Sequence, residues 1–541
     1  MICYNTTYFR IGRSKNLPQE DSKKLFKGAL ILTIAATITK ILSAVYRVPF
    51  QNIVGDVGFY IYQQIYPIYG VAISLATYGF PVIISKFIAE GEAANSNIKQ
   101  MMKSIFLMLS SLGIILFLLF FIGAPYIADL MGDSKLGPLI RIIAFSFLLV
   151  PFISVIRGFF QGIGSMLPTA ISQVTEQFIR VASILLLTYF LVRKGYSLYI
   201  AGEGALIGSV IGGVVSLLVL IWFLLWFRNR HPLSVRVSPM ILGKKTFLLQ
   251  GLAICISGMM LVLFQFVDSL DIYALLTKSG VSIGEAKSLK GIYDRGQPLL
   301  QLGTIVATSL SLTLVPLISG AFQNGDLSSL KEKVGIALKI SIIVGIGSAI
   351  GLINIIHPTN IMLFKNDHGS LVLAVFSVSI LFSSIILTIT GILQGIGRVY
   401  IPALYMVIGV IVKFLTNQLL VPKFGTLGAS VATVLSLCMV AVFFMKELRK
   451  LKIGKLPALF YIKVLASAFI MTLVLQIWLI CLESFLPSNR LSSVILALSG
   501  VVIGGAAYII SIMCFKVFLR EDVLFLPFGE RLFRIFTNKE R

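Results

Sequence analysis

Apolar residues run along this chain in stretches of about 20, the length an α-helix needs to cross a bilayer core, and they recur from Leu25 to Lys516. Read by length and flanking polar residues, they predict about fourteen spans. The first six lie near 26–50, 57–88, 101–125, 137–160, 168–192 and 199–227. The next six lie near 247–275, 296–321, 334–357, 370–396, 401–421 and 425–446, and the last two near 459–482 and 491–517. The expected class is an all-α integral membrane protein.

The expected organisation is a polar tail (1–24), a six-helix lobe (25–227), a basic linker (228–246), a second six-helix lobe (247–446), two additional spans (447–517) and a C-terminal tail (518–541). The tail "MICYNTTYFRIGRSKNLPQEDSKK" lacks the apolar region of a cleavable signal peptide, so none is expected. The connections "RNRHPLSVRVSPMILGKK" (228–245) and "KELRKLKIGK" (446–455) are strongly basic, and both follow even-numbered spans. Cationic connections stay on the cytoplasmic side, which predicts both termini in the cytoplasm of a plasma-membrane protein. "RKG" at 193–195 runs weakly against this.

The two six-span halves share a motif. "RGFFQGIGSMLPTA" (157–170) and "TGILQGIGRVYIPA" (390–403) both carry G-x-x-Q-G-I-G followed by proline. The shared positions are Gly158, Gln161 and Gly162 in the first copy and Gly391, Gln394 and Gly395 in the second. Each copy falls between the fourth and fifth spans of its half, on the same expected side. The repeat is therefore parallel, which predicts two bundles that rock about a central cavity.

Composition sharpens this. Of the 541 residues 57% are apolar and 13% charged, against about 25% charged in soluble domains, and the mean hydropathy is +0.95. The net charge of +24 fits lysine and arginine flanking the spans plus an internal cationic site, not nucleic-acid binding. The five cysteines make no C-x-x-C pair and the three histidines are scattered, so neither disulfides nor a metal site is expected. No phosphate-binding loop, H-E-x-x-H or clustered Asp-x-Asp is present, and no nucleophile sits with a base. An enzyme is not expected, nor a cofactor.

The candidate chemistry lies in charges at membrane depth. "TITKILSAVYRVPF" (37–50) places Lys40 and Arg47 inside the first apolar run. A cation at a helix centre costs about 2.5–3.5 kcal/mol on insertion scales. Seven residues is close to two turns, so the two share a face suited to a wet cavity and an anionic ligand, the alternative being that they snorkel to the interface, which suits Arg47 better than Lys40. Glu176 and Arg180 stand at i, i+4 on the fifth span, where they are expected to pair. Lys413 lies on the eleventh span, and Asp268 and Asp271 end the seventh, within expected reach of Lys40 or Arg47 or at the outer rim. Asp294 and Arg295 open the eighth span, where Gly296 and Pro298 predict a broken entry of the kind transporters use for sites. Deep cations outnumber deep acids, which favours a phosphorylated anion. A cation-coupled multidrug antiporter, the alternative, is expected to show an acid on its first span, and none is there. A non-transporting scaffold would leave the deep cations without a task.

The stretches "LSAVYRVPFQNIVGDVGFYIYQQIYPIYG", "RGFFQGIGSMLPTAISQVTEQFIRV" and "KGIYDRGQPLLQLGTIVATSLSLTLVPLIS" resemble the multidrug/oligosaccharidyl-lipid/polysaccharide exporter superfamily. Within it they are most similar to the polysaccharide-biosynthesis branch that includes stage V sporulation protein B and MurJ-type lipid II flippases. The resemblance implies a fourteen-helix flippase for an undecaprenyl-pyrophosphate-linked saccharide, with arginines of the first span and of the eighth-span entry contacting the pyrophosphate. By local pattern these match Lys40, Arg47 and Arg295. Lys40 departs from the pattern, offering a point charge where the branch carries a guanidinium fork. "YIYQQIY" (60–66) replaces an acidic position and with it any coupling role. The implied partners are the polyprenyl-linked saccharide and membrane lipids, with cell-wall synthesis enzymes as further candidates and a monomer as the expected state.

Overall fold

Twenty α-helices and two short helical turns account for nearly all the described residues, with no strand among them. The structure, a computed structural model, describes residues 19–92, 98–230, 244–323 and 325–517, apart from 452, 455 and 488. Most of the basic linker, most of the N-terminal tail and the C-terminal tail lie outside the described residues.

The first lobe contains α1 (Gln19–Val45), α2 (Arg47–Ser74), a π-turn (Leu75–Gly79), α3 (Phe80–Glu92), α4 (Ile98–Ile122), α5 (Ala124–Leu130), α6 (Gly137–Ala144), α7 (Ser146–Gly162), α8 (Leu167–Arg193) and α9 (Leu198–Arg230). The second contains α10 (Lys244–Gly258), α11 (Met260–Lys278), α12 (Ile283–Asp294), α13 (Gly296–Gly303), α14 (Ile305–Gln323), α15 (Leu327–Phe364), α16 (Ser370–Ser377), α17 (Ser379–Gly395) and α18 (Tyr400–Lys450). The last pair, α19 (Ala458–Glu483) and α20 (Arg490–Cys514), packs on itself and on α15.

Eleven stretches among the described residues are long and apolar enough to cross a membrane. Two of them, Leu30–Ala89 and Tyr400–Lys450, contain backbone breaks at Gly55 (φ 69°) and Gly425 (φ 57°). That φ lies in the left-handed region glycine alone enters without penalty, so the apolar run can turn there without a long loop.

Proline sets two further breaks. Pro49 has no N–H for the carbonyl of Val45, and the helix interrupts at Tyr46, between α1 and α2. Pro298 does the same to Asp294, and α12 gives way to α13 at Arg295. The eighth-span entry is therefore broken, as Gly296 and Pro298 predict.

The repeat is real in backbone detail. In the first copy Ile163, Gly164 and Ser165 donate to Phe159, Gln161 and Phe160. In the second, Ile396, Gly397 and Arg398 donate to Ile392, Gln394 and Leu393. Gly164 and Gly397 both adopt positive φ, 76° and 81°. The same turn thus closes α7 and α17, and each is preceded by a short helix (α6, α16) broken at a single residue. In the first copy a methyl at Gly158 or Gly162 would press on Ile84 or Ile88 of α3, a packing seam.

Candidate functional site

The lobes meet where α2 packs on α11 and α12, and α1 on α13 and α14. Between them lies a cavity of about 300 Å³. Its walls come from both lobes, with Thr39, Lys40, Ser43 and Arg47 from the first span, Tyr66 and Tyr78 from the second, and Gln177 and Arg180 from α8. The facing wall carries Ser257, Gln265, Gln301, Thr304, Thr308, Thr390, Gly391 and Gln394. Tyr78 arrives through the π-turn, whose wider spiral redirects side chains within a helix. Gln394 of the second repeat copy donates to Ser257 at 2.9 Å.

Among the described residues three cations line this cavity and no carboxylate does. Arg47 is 1% exposed, and its guanidinium lies over the Tyr66 ring at 4.3 Å. Arg180, also 1% exposed, sits over Tyr69 at 5.1 Å and Tyr46 at 5.5 Å. It reaches Ser43 of α1 at 3.4 Å. Aromatic faces hold a cation without cancelling its charge. Nε and Nη1 of both arginines have no hydrogen-bond partner among the described residues. Lys40 is half-buried on the same wall and makes no ion pair among the described residues. The cations therefore face the chamber between the lobes.

The other deep charges are arranged differently from the expectation. Glu176 does not pair with Arg180; it pairs with Arg157 at 2.8 Å. Asp268 and Asp271 do not reach Lys40 or Arg47. They form a buried cluster within the second lobe, where Lys413 meets Asp268 at 2.7 Å, Tyr293 donates to Asp268 at 2.8 Å and Asn417 bridges both acids. Lys413 is thus neutralised and adds no free charge to the cavity. Asp294 is matched by Lys290 at 2.6 Å, one turn away. Arg295 is 0% exposed and outside the cavity lining. It pairs with Asp56 at 2.6 Å and donates to Asn360 and Asn366, with Phe364 beneath it.

The Arg295–Asp56 contact crosses from one lobe to the other, and a second one does too. Lys287 of α12 pairs with Asp133, ahead of α6, at 2.9 Å. Tyr60 and Tyr199 donate to the same carboxylate, and Lys287 lies over the Tyr60, Tyr199 and Tyr273 rings. These pairs tie the two lobes together. The double change Asp56→Asn and Asp133→Asn is expected to raise the lobes-apart population at least tenfold, about 1.4 kcal/mol. Spin labels at Ser134 and Ile283, exposed on opposite lobes, will read this as a gain in long distances.

A second space adjoins the chamber. It measures about 680 Å³ and is almost wholly apolar, lined by α13, α15, α17, α19 and α20. The eight-residue helix α13 forms a partition. Leu299 and Leu302 face the apolar groove, while Gln301 and, at its end, Thr304 face the cationic chamber.

Two helical lobes related by a parallel repeat, with a polar chamber between them, define a multi-pass membrane protein of transporter architecture. The chain belongs to the family described as polysaccharide biosynthesis protein, whose model matches residues 25–322. It is 46% identical to the uncharacterized membrane protein YabM of Bacillus subtilis (strain 168), over 96% of this chain and 97% of that one. It is 27% identical to the lipid II flippase MurJ of the same organism, over 76% and 80% of the two chains. Among solved structures, lipid II flippase MurJ in an inward closed conformation superposes with a TM-score of 0.62 at 16% identity, covering 90% of this chain and 99% of that one.

Arg157, Asp56, Asp133, Lys287 and the tyrosines at 46, 66 and 69 escape a search for deep charges. Arg157 was visible as the one charged residue that opens the first repeat copy where the second has Thr390.

Proposed function

We propose that this protein moves an undecaprenyl-pyrophosphate-linked saccharide, a lipid II-like cell-wall or polysaccharide precursor, across the bacterial plasma membrane by alternating access. The observation that carries this is the pairing of two unlike spaces across α13. Among the described residues one holds three cations without an acid, and the other is an apolar groove. An amphiphile with a doubly phosphorylated head and a polyprenyl tail matches both. The likeness to a relative named lipid II flippase supports the same class.

Lys40, Arg47 and Arg180 would hold the pyrophosphate, with guanidinium forks supplying bidentate hydrogen bonds. Arg295 joins them only when the lobes part and Asp56 releases it. Both termini lie on the cytoplasmic side in this scheme. An organic cation is disfavoured, since no carboxylate among the described residues lines the chamber to receive it.

Native mass spectrometry of the purified full-length chain tests this. A retained polyprenyl-pyrophosphate species is expected. Retention of zwitterionic phospholipid alone, or efflux of cationic dyes by vesicles carrying the protein, would overturn the proposal.

A further inference from the structure

Glu176 and Arg180 lie one turn apart on α8, and neighbours at that spacing stand about 5–6 Å apart at Cβ. A carboxylate so placed is the nearest available counter-ion for Arg180. Yet its Oε2 is 2.8 Å from Nη2 of Arg157 on α7.

Every nitrogen of the Arg157 guanidinium donates a hydrogen bond. Its Nη2 also donates to Ser216 at 2.9 Å, its Nη1 to Thr77 at 2.8 Å and its Nε to Ser172 at 3.1 Å. These partners come from α9, the π-turn and α8, so the fork is fixed from three sides and is 0% exposed. Behind it α9 presses directly on α8: a methyl at Gly212 would stand 2.8 Å from Cβ of Arg180 and 2.9 Å from the carbonyl oxygen of Glu176. Arg157 is thus a held cation that claims the acid, and Arg180 is a free one.

The second lobe has no such arrangement. At the place of Arg157 its repeat copy carries Thr390, and its deep cation, Lys413, is neutralised by Asp268.

We propose that Arg157 is a positioning residue: by holding the Glu176 carboxylate away from Arg180, it keeps Arg180 unneutralised for the anionic headgroup. This rests on the pyrophosphate-lipid function proposed above. It assigns the charge of the site to a residue outside the cavity lining.

Binding of undecaprenyl pyrophosphate to the purified full-length chain in nanodiscs tests it, with uncharged undecaprenol as the reference lipid. Arg157→Met is expected to bind the pyrophosphate about tenfold more weakly, the scale of one charge-assisted hydrogen bond. Arg157→Lys, which keeps a cation on Glu176, stays within about threefold of the unaltered chain. Adding Glu176→Gln to Arg157→Met restores affinity to within about threefold, since the competing acid is gone.

An Arg157→Met chain that folds and binds like the unaltered one overturns the proposal. So does a double variant as weak as Arg157→Met. Should Arg157→Met not yield folded protein, Glu176→Gln alone decides: binding at least as tight as the unaltered chain supports the proposal, and tenfold weaker binding shows that Glu176 serves Arg180 and overturns it. If the unaltered chain does not distinguish the pyrophosphate from undecaprenol, the proposed function fails and not this inference alone.

Discussion

Arg180→Met will abolish transport of the pyrophosphate-linked lipid and raise the melting temperature of the purified protein. Both effects follow from one feature. The Arg180 guanidinium is buried, and two of its nitrogens have no hydrogen-bond partner. Burial of an ion costs several kcal/mol even after relaxation, and neutral tyrosine faces return only part of it. Methionine fills similar space without that penalty, so the fold gains while the site loses its fork. Two charge-assisted hydrogen bonds to phosphate, at about 1.5–3 kcal/mol each, put the loss of binding at a hundredfold or more. Arg47→Met is expected to behave alike, as Arg47 also has two unpartnered nitrogens. Thermal unfolding and a liposome flipping assay on the same preparations check the two signs together. A variant that melts lower and still transports would show that the guanidinium is a structural group.

Lys413→Met will have the opposite signature on stability. Lys413 is 0% exposed, and its ammonium contacts Asp268, Thr433 and the Ala429 carbonyl. Removing it leaves two carboxylates, Asp268 and Asp271, joined by Asn417 with no cation in direct contact. Stranding a buried charge by deleting its partner costs about 3–5 kcal/mol. A large fall in melting temperature is therefore expected. Adding Asp268→Asn should recover most of it, because the amide removes one of the stranded charges. An unchanged melting temperature in Lys413→Met would show that the ion pair does not hold this cluster. Lysines at comparable depth thus receive opposite assignments: Lys40 stands in the chamber without an acid, and Lys413 is locked within its lobe.

That difference marks the limit of what a linear pattern conveys. The expected Glu176–Arg180 pair was a sound inference from helical spacing, since i, i+4 side chains are neighbours. It fails because a third residue, Arg157, reaches Glu176 from α7. Asp268 and Asp271 had plausible partners on the opening span, and their partners instead lie on α18 and α12 of their own lobe. Each outcome depends on which helices are adjacent, and spacing along one helix is silent about that. Lys40 and Arg47 stand out in the sequence as cations in an otherwise apolar stretch, and the two line one cavity.

The amino-acid sequence by itself determined the helical membrane class, the parallel repeat with its shared turn, and the broken entry at Pro298, because hydropathy, glycine and proline act locally on the backbone. Only the tertiary structure decided which deep charges stay free. A buried charge is neutralised by whatever approaches it through space, and that approach is set by the packing of α7, α8 and α9 in one lobe and of α11, α12 and α18 in the other.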